Sequence, residues 1–185
     1  MQLVLYDKCK QLETEELKEY MNQKMEVLIR AQNGEERYRE SLGWLHVDEW
    51  AGEENTREIT RHAERVRENG DILVVIGIGG SNQAARAVIE ALHGDGHVKI
   101  LYAGNNISSA YMKNIINQLE GKSVYINVIA KNFETLEPGI SFRILRQYLK
   151  KRYGAEYGSR IFATGTRESK LHELCRTHGY TFLDF

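Results

Sequence analysis

The sequence has little of what builds disulfide-linked, membrane-spanning or nucleic-acid-binding proteins. Its two cysteines, Cys9 and Cys175, lie far apart, which disfavours a disulfide scaffold and favours a reducing compartment. No apolar run approaches the length of a membrane span, and a single proline excludes a Pro-rich linker. The 25 Lys and Arg against 26 Asp and Glu lack the basic excess of a nucleic-acid-binding surface. Because the amino terminus also lacks a signal-peptide pattern, we expect a cytoplasmic globular protein without membrane or nucleic-acid partners.

The first part of the chain differs in pattern from the rest. Apolar residues recur at helical spacing over residues 14–31, with Thr14 as a possible cap and Gly34 as the end. Residues 41–50 are less periodic, and we expect their two tryptophans to cover part of the main body. A second helix is predicted over 56–68. We therefore divide the chain into a helical and extended arm, residues 1–55, and a binding domain, residues 56–185.

Beyond residue 70, short β-branched runs alternate with helical patterns. The predicted strands cover residues 71–76, 98–102, 123–129, 160–163 and 180–183. The predicted helices between them cover residues 83–92, 109–119, 137–150 and 168–177. Such alternation predicts a parallel sheet with helices on its faces, because each crossover between parallel strands is right-handed. The fold class is therefore α/β, a doubly wound five-stranded parallel sheet with an N-terminal helical arm.

A glycine-rich loop follows the most hydrophobic strand and leads into a helix. Gly79 and Gly80 allow a ligand to approach the backbone, and Ser81 adds a hydroxyl near the free N–H groups of a helix start. This pattern favours an anion site, although the glycines could merely form a tight turn. A dinucleotide fingerprint is disfavoured, because Asn82 occupies the position of its last glycine. The Gly121-Lys122-Ser123 sequence is no P-loop, since it precedes a strand.

A second candidate loop lies between the third strand and its helix, at residues 130–138. Lys131 and Thr135 are suitable anion-binding residues, whereas the Glu134 carboxylate beside a phosphate would oppose binding unless it turned outward. For Lys131, a solvated surface lysine is an equally good interpretation. The histidines lack a cysteine or carboxylate that completes a metal site, and Cys175 fits the core better than it fits a nucleophile.

Several segments of the chain carry a family resemblance. The first reads Val74-Val75-Ile76-Gly77-Ile78-Gly79-Gly80-Ser81, and the others lie at residues 85–92, 102–109 and 126–129. Shorter matches lie at residues 43–45, 137–138, 141–144 and 161–164. Together they resemble the bacterial glucose-6-phosphate isomerase family over nearly the whole chain.

The resemblance implies the first of that family's two sugar-isomerase (SIS) domains, which binds a sugar phosphate or an inorganic anion without a cofactor. The implied reaction exchanges glucose 6-phosphate and fructose 6-phosphate through an ene-diol, in glycolysis and gluconeogenesis. In the family the acid and base groups come from the later half, so we expect no catalytic residue here and no turnover by this chain alone. A non-catalytic sugar-phosphate-binding or regulatory module is the alternative. Since the domain packs on its neighbour in the family, we also expect uncovered apolar surface and a homo-oligomer.

The second loop departs from the family pattern, which reads Ser-Lys-Ser-Gly-Thr-Thr or Ser-Lys-Thr-Phe-Thr-Thr. Lys131 and Thr135 match, whereas Ala130, Asn132 and Glu134 replace the first, third and fifth positions. Each lost hydroxyl donor removes about 1.5–3 kcal/mol of phosphate affinity. The predicted phosphate-binding residues are Gly79, Gly80, Ser81, Lys131, Asn132 and Thr135, with no metal or catalytic residue.

Overall fold

The computed structural model describes residues 15–35, 51–92, 96–131 and 133–184. Two compact units divide the chain, Met1–Glu53 and Glu54–Phe185. In the first unit, helix α1 covers Glu15–Gln32, close to the predicted residues 14–31. Gly34 follows two residues after its end, and the Gly34 N–H donates to the Ala31 carbonyl at 3.0 Å. The predicted cap Thr14 and the covering segment 41–50 lie outside the described residues, and the division into an arm and a binding domain stays a prediction.

The second unit begins with a helix and then alternates strands and helices. Its elements, in chain order, are α2 Glu53–Asn69, β1 Ile72–Ile76, α3 Gly80–Leu92, β2 Lys99–Ala103, α4 Ser109–Leu119, β3 Val124–Ile129, α5 Leu136–Tyr153, β4 Ile161–Gly165, α6 Lys170–His178 and β5 Thr181–Asp184. A 3₁₀ helix, Gly154–Arg160, connects α5 to β4. All five predicted strands and the predicted helices are present, with boundaries that differ from the predicted ones by no more than three residues.

The sheet is entirely parallel, in the order β2-β1-β3-β4-β5. This confirms the predicted five-stranded α/β fold. Strand β1 pairs with β2 on one side and β3 on the other, so Ile76 lies opposite both Ala103 and Val128. The chain therefore leaves β1 and β3 in opposite directions along the sheet, and right-handed crossovers put α3 and α5 on opposite faces.

One face of the sheet carries the main hydrophobic core. Side chains of alternate strand residues, such as Val74 and Ile126, are fully buried there against Phe142 of α5 and Leu171 of α6. Helix α4 contributes Ile115 to the same core. The run Ile72–Ile76 lacks polar alternation because helices also lie over the opposite face of the sheet.

The opposite face is covered by α2 and α3. Val66 of α2 packs with Tyr125 and Phe162 in a smaller buried cluster. The Arg86 guanidinium of α3 lies 5.0 Å from the centre of the Tyr102 ring on β2. Several apolar side chains of α3 are nevertheless exposed in this unit, namely Val88, Ile89 and Leu92.

At the amino edge of the sheet, Arg160 links the third and fourth strands. Its guanidinium lies between two rings, 4.8 Å from the centre of Tyr125 and 4.1 Å from that of Tyr153. It also donates a 2.9 Å hydrogen bond to the Ser123 hydroxyl. These contacts fix the end of the sheet opposite to the candidate site.

Candidate functional site

The candidate site lies where the strand order reverses. In open α/β sheets, ligands bind beyond the carboxyl ends of the strands that flank such a point. Here those strands are β1 and β3, which are hydrogen-bonded neighbours. The loops that follow them, residues 77–79 and 130–135, are the two loops that the sequence predicts to bind an anion. Tertiary structure thus brings together two segments that are about fifty residues apart in sequence.

The glycine loop is held at its first residue, because both backbone polar groups of Gly77 are hydrogen-bonded. The Gly77 N–H donates to the Ala103 carbonyl at 3.0 Å, which fastens the loop to the end of β2. Asn82, which is fully buried, donates its side-chain amide to the Gly77 carbonyl at 3.3 Å. Gly79 adopts φ +58°, a left-handed conformation that favours glycine. The loop is therefore a fixed turn that exposes the Gly79 backbone and the Ile78 side chain.

Helix α3 begins at Gly80, three residues earlier than predicted. The Asn82 and Gln83 N–H groups donate to the Gly79 carbonyl at 3.1 and 2.9 Å. The N–H groups of Gly80 and Ser81 precede these bonds, at a helix start where amides have no intrahelical acceptor. Gly80 is exposed and Ser81 is half-buried. The helix start thus presents N–H groups, a hydroxyl and a partial positive charge to solvent, a combination that suits an anion.

Gly104 brings the two sides of the site into contact. A side-chain carbon added at this residue would lie 3.1 Å from each of the Gly77 nitrogen, Ile76 Cγ2 and Pro138 Cα. The ends of β1 and β2 therefore touch the first turn of α5. Because the second candidate loop leads directly into α5, this contact places it beside the glycine loop.

The second candidate loop exposes Lys131 and Thr135. Thr135 is the N-cap residue of α5, but its side chain makes no capping hydrogen bond. The Thr135 hydroxyl is therefore not used to cap the helix. Phe133 adopts φ +57° and its ring contacts the buried Phe142 ring edge to face at 5.4 Å, which anchors the loop in the core. Asn132 lies outside the described residues.

Strand β4 and the loop that follows it support this second loop. The Ala130 N–H donates to the Thr164 carbonyl at 3.0 Å, and the Thr166 hydroxyl donates to the Lys131 carbonyl at 2.8 Å. Glu134 forms an ion pair with Lys170, the first residue of α6, at 3.0 Å. The carboxylate expected to repel a phosphate is thus directed toward a cation.

Of the predicted site residues, the structure groups Gly79, Gly80 and Ser81 at the end of β1 and Lys131 and Thr135 at the end of the adjacent β3. Whether they bind phosphate stays a prediction. The sequence pattern does not reveal Lys170, since nothing local marks a lysine at a helix start as the partner of Glu134. Asn82 enters the sequence prediction only as a mismatch to a dinucleotide motif, although a polar residue two positions after a glycine pair is a usable signal for a side chain that closes the turn.

Other chemical features lie away from these loops. Burial raises the pKa of the Cys175 thiol to about 11, which agrees with its predicted place in the core. Within the described ranges, no group of three His, Cys, Asp or Glu side chains is arranged to hold a metal ion. A cavity of about 420 Å³ lies between α2 and the sheet and is mainly apolar, and none of the predicted site residues lines it. No helix of the described part is long and apolar enough to cross a membrane.

Comparison with known proteins identifies relatives over most of the chain. The family model described as phosphoglucose isomerase matches residues 24–182. The glucose-6-phosphate isomerase of Shouchella clausii (strain KSM-K16) is 39% identical over 151 residues, which are 75% of this chain and 34% of that protein. The enzyme of the same name from Alkaliphilus metalliredigens (strain QYMF) is 38% identical over 154 residues, 76% of this chain and 34% of that protein. The chain therefore spans about a third of the length of these relatives.

Solved structures share the fold. A hypothetical protein from Thermus thermophilus superposes with a TM-score of 0.77 at 22% identity, over 92% of this chain and 40% of that one. A glucose-6-phosphate isomerase from Chlamydia trachomatis D/UW-3/Cx superposes with a TM-score of 0.59 at 20% identity, over 71% of this chain and 25% of that one. At these identities the likeness establishes the architecture alone.

Proposed function

Because this chain belongs to the phosphoglucose isomerase family, we propose that it binds a sugar phosphate at the carboxyl edge of its sheet. The phosphate lies between the start of α3 and the loop before α5. Gly79, Gly80 and Ser81 provide N–H groups and a hydroxyl, and Lys131, Asn132 and Thr135 complete the set from the other side. We also propose the cytoplasm as its location, as the sequence predicts.

The observation that carries this proposal is the pairing of β1 with β3 at the reversal of strand order. Two loops with anion-binding chemistry then begin at the carboxyl ends of adjacent strands, and each loop leads into a helix. Helix starts and backbone N–H groups favour phosphate by fixed partial charges, which survive the loss of side-chain hydroxyls. This supports binding despite Ala130 and Glu134, which depart from the family pattern.

The chemistry we propose for the whole protein is the exchange of glucose 6-phosphate and fructose 6-phosphate. Moving a proton between neighbouring carbons needs a general base with a pKa near neutrality. The described residues of the two loops contain two carboxylates: Glu134 is paired with Lys170, and Glu137 lies in the first turn of α5. We therefore propose that this chain holds the phosphate end of the sugar, and that on its own it binds without isomerising.

Titration calorimetry with glucose 6-phosphate tests the binding. We expect measurable affinity for glucose 6-phosphate and none for glucose, because the contacts are directed at the phosphate. Ser81→Ala removes a hydrogen bond to a charged group, which is worth about 1.5–3 kcal/mol, or roughly ten- to a hundredfold in affinity. Ser159→Ala is the matched control, since Ser159 lies in the 3₁₀ helix before β4 and its hydroxyl donates to the Glu156 carbonyl. Equal affinities for glucose and glucose 6-phosphate would contradict the proposal.

A second candidate, a non-catalytic sensor of sugar phosphates, is favoured by the altered second loop. The two candidates differ in what they must bind. An isomerase part has to bind both sugar phosphates, whereas a sensor needs only one. Binding of glucose 6-phosphate without binding of fructose 6-phosphate would therefore favour the sensor. A coupled assay that detected turnover by this chain alone would overturn the assignment of a binding role.

A further inference from the structure

The second candidate loop carries a charge pair that links it to α6. The Lys170 ammonium and the Glu134 carboxylate are 3.0 Å apart, although the residues are 36 positions apart in sequence. Lys170 lies outside the two loops that are predicted to bind an anion. Glu134, in contrast, lies in the middle of the anion loop, between Lys131 and Thr135.

The neighbouring backbone keeps this pair in place. The Thr166 hydroxyl donates to the Lys131 carbonyl, and the Ala130 N–H donates to the Thr164 carbonyl. Helix α6 itself starts at a fixed point, because the Ser169 side chain caps it by accepting a hydrogen bond from the His172 N–H at 3.2 Å. Lys170 is therefore held near the anion loop by contacts that do not depend on the ion pair.

Stability does not account for this pair. The two side chains are 71% and 63% exposed, and ion pairs that exposed contribute little to folding. The pair does, however, decide where the Glu134 carboxylate lies. A released carboxylate in this loop would be attracted to Lys131 and to the N-terminal end of α5, which are the groups that we assign to phosphate. Of the other nearby charges, Arg167 is already paired with Asp184, so it does not replace Lys170.

We propose that Lys170 is a positioning residue that sets the phosphate affinity of the site by holding Glu134 away from it. The inference rests on the proposed function, since it names the regulation of the same site. Lys170 does not contact the phosphate. Its effect therefore requires Glu134 and disappears when that carboxylate is removed.

A double-mutant cycle tests this dependence, with glucose 6-phosphate as the ligand in titration calorimetry at low ionic strength. Lys170→Met should weaken binding about three- to tenfold, as expected for one unit charge brought to about 6 Å from a phosphate dianion in a water-like dielectric. Glu134→Gln alone should change affinity less than about twofold, and adding Lys170→Met to Glu134→Gln should cause no further loss.

Three controls make the result specific. Lys170→Arg keeps the ion pair and should keep the affinity of the unaltered chain. Lys122→Met removes the same charge from an exposed residue before β3, at the opposite edge of the sheet, and should have no effect. The loss caused by Lys170→Met should also shrink at high salt, because the charges are exposed.

The inference is overturned if Lys170→Met weakens binding equally in the unaltered chain and in the Glu134→Gln variant, which would make Lys170 a direct phosphate ligand. It is also overturned if Lys170→Met changes nothing. Both results leave the proposed function intact, provided that the unaltered chain binds glucose 6-phosphate and not glucose. If the unaltered chain does not distinguish these two sugars, the proposed function itself fails.

Discussion

Gly104→Ala is the substitution that most directly tests how the site is built. Gly104 adopts φ +87°, and its added carbon would lie 3.1 Å from backbone atoms of both Gly77 and Pro138. A side-chain carbon is disfavoured in this conformation, and here the contacting atoms belong to the ends of two elements and cannot rotate away. The substitution therefore strains the backbone and moves the glycine loop away from the first turn of α5.

The expected loss of stability is the sum of these two effects. An alanine with positive φ costs about 1–2 kcal/mol, from which the lower entropy of the unfolded chain recovers about 0.4–1 kcal/mol. Overfilling a packed contact costs a further 1–3 kcal/mol or so. The free energy of unfolding should therefore fall by about 1–4.5 kcal/mol, which lowers the melting temperature by roughly 2–18 °C at this chain length.

Gly121→Ala provides a matched control. Gly121 has φ +72°, but an added carbon would meet nothing within 4 Å. Urea unfolding followed by circular dichroism should therefore give a loss of only about 1 kcal/mol from the backbone term. The difference between the two variants isolates the contact of Gly104 with Gly77 and Pro138.

Binding gives a second measurement on the same variants. Gly104→Ala should weaken glucose 6-phosphate binding at a temperature where the chain is still folded, whereas Gly121→Ala should not. If Gly104→Ala destabilises the chain no more than Gly121→Ala does, the close approach of β1, β2 and α5 is not as described, and the assembly of the site from these ends is refuted.

Three further predictions concern the fold. Arg160→Ala removes two ring contacts and two hydrogen bonds, to the Ser123 hydroxyl and the Val124 carbonyl. Urea unfolding should show a loss of about 2–4 kcal/mol, against less than about 0.5 kcal/mol for Arg176→Ala at an exposed residue. In a Cys9→Ser variant, Cys175 should react with a thiol reagent at pH 8 only as fast as the chain unfolds locally. The reason is that burial raises the pKa of the Cys175 thiol to about 11. Rapid reaction of the folded chain would contradict this prediction. We also expect self-association, which the resemblance predicts and which the exposed apolar side chains of α3 support. Sedimentation at micromolar concentration should detect it, and Leu92→Lys should weaken it. A monomer at every concentration would count against this prediction.

Much of the fold follows from local sequence signals. The run Ile72–Ile76 forms a buried strand because it has no polar alternation, and the glycines after it form a turn because that turn needs a residue with positive φ. The anion-binding chemistry of the glycine loop, with Ser81 at the helix start, is likewise visible in consecutive residues. Errors in element boundaries stay small for the same reason, although α3 includes Gly80, which was expected to precede it.

Only the tertiary structure decides which loops meet. Placing Lys131 and Thr135 beside Ser81 depends on β1 pairing with β3, and that pairing depends on how five strands and the helices on both faces pack together. Alternation of strands and helices predicts a parallel sheet without giving the order of its strands. The partner of Glu134 is hidden for a related reason. Lys170 lies at the start of a helix that follows a different strand, so no spacing along the chain reveals the ion pair, and it forms only because β3 and β4 are neighbours in the folded sheet.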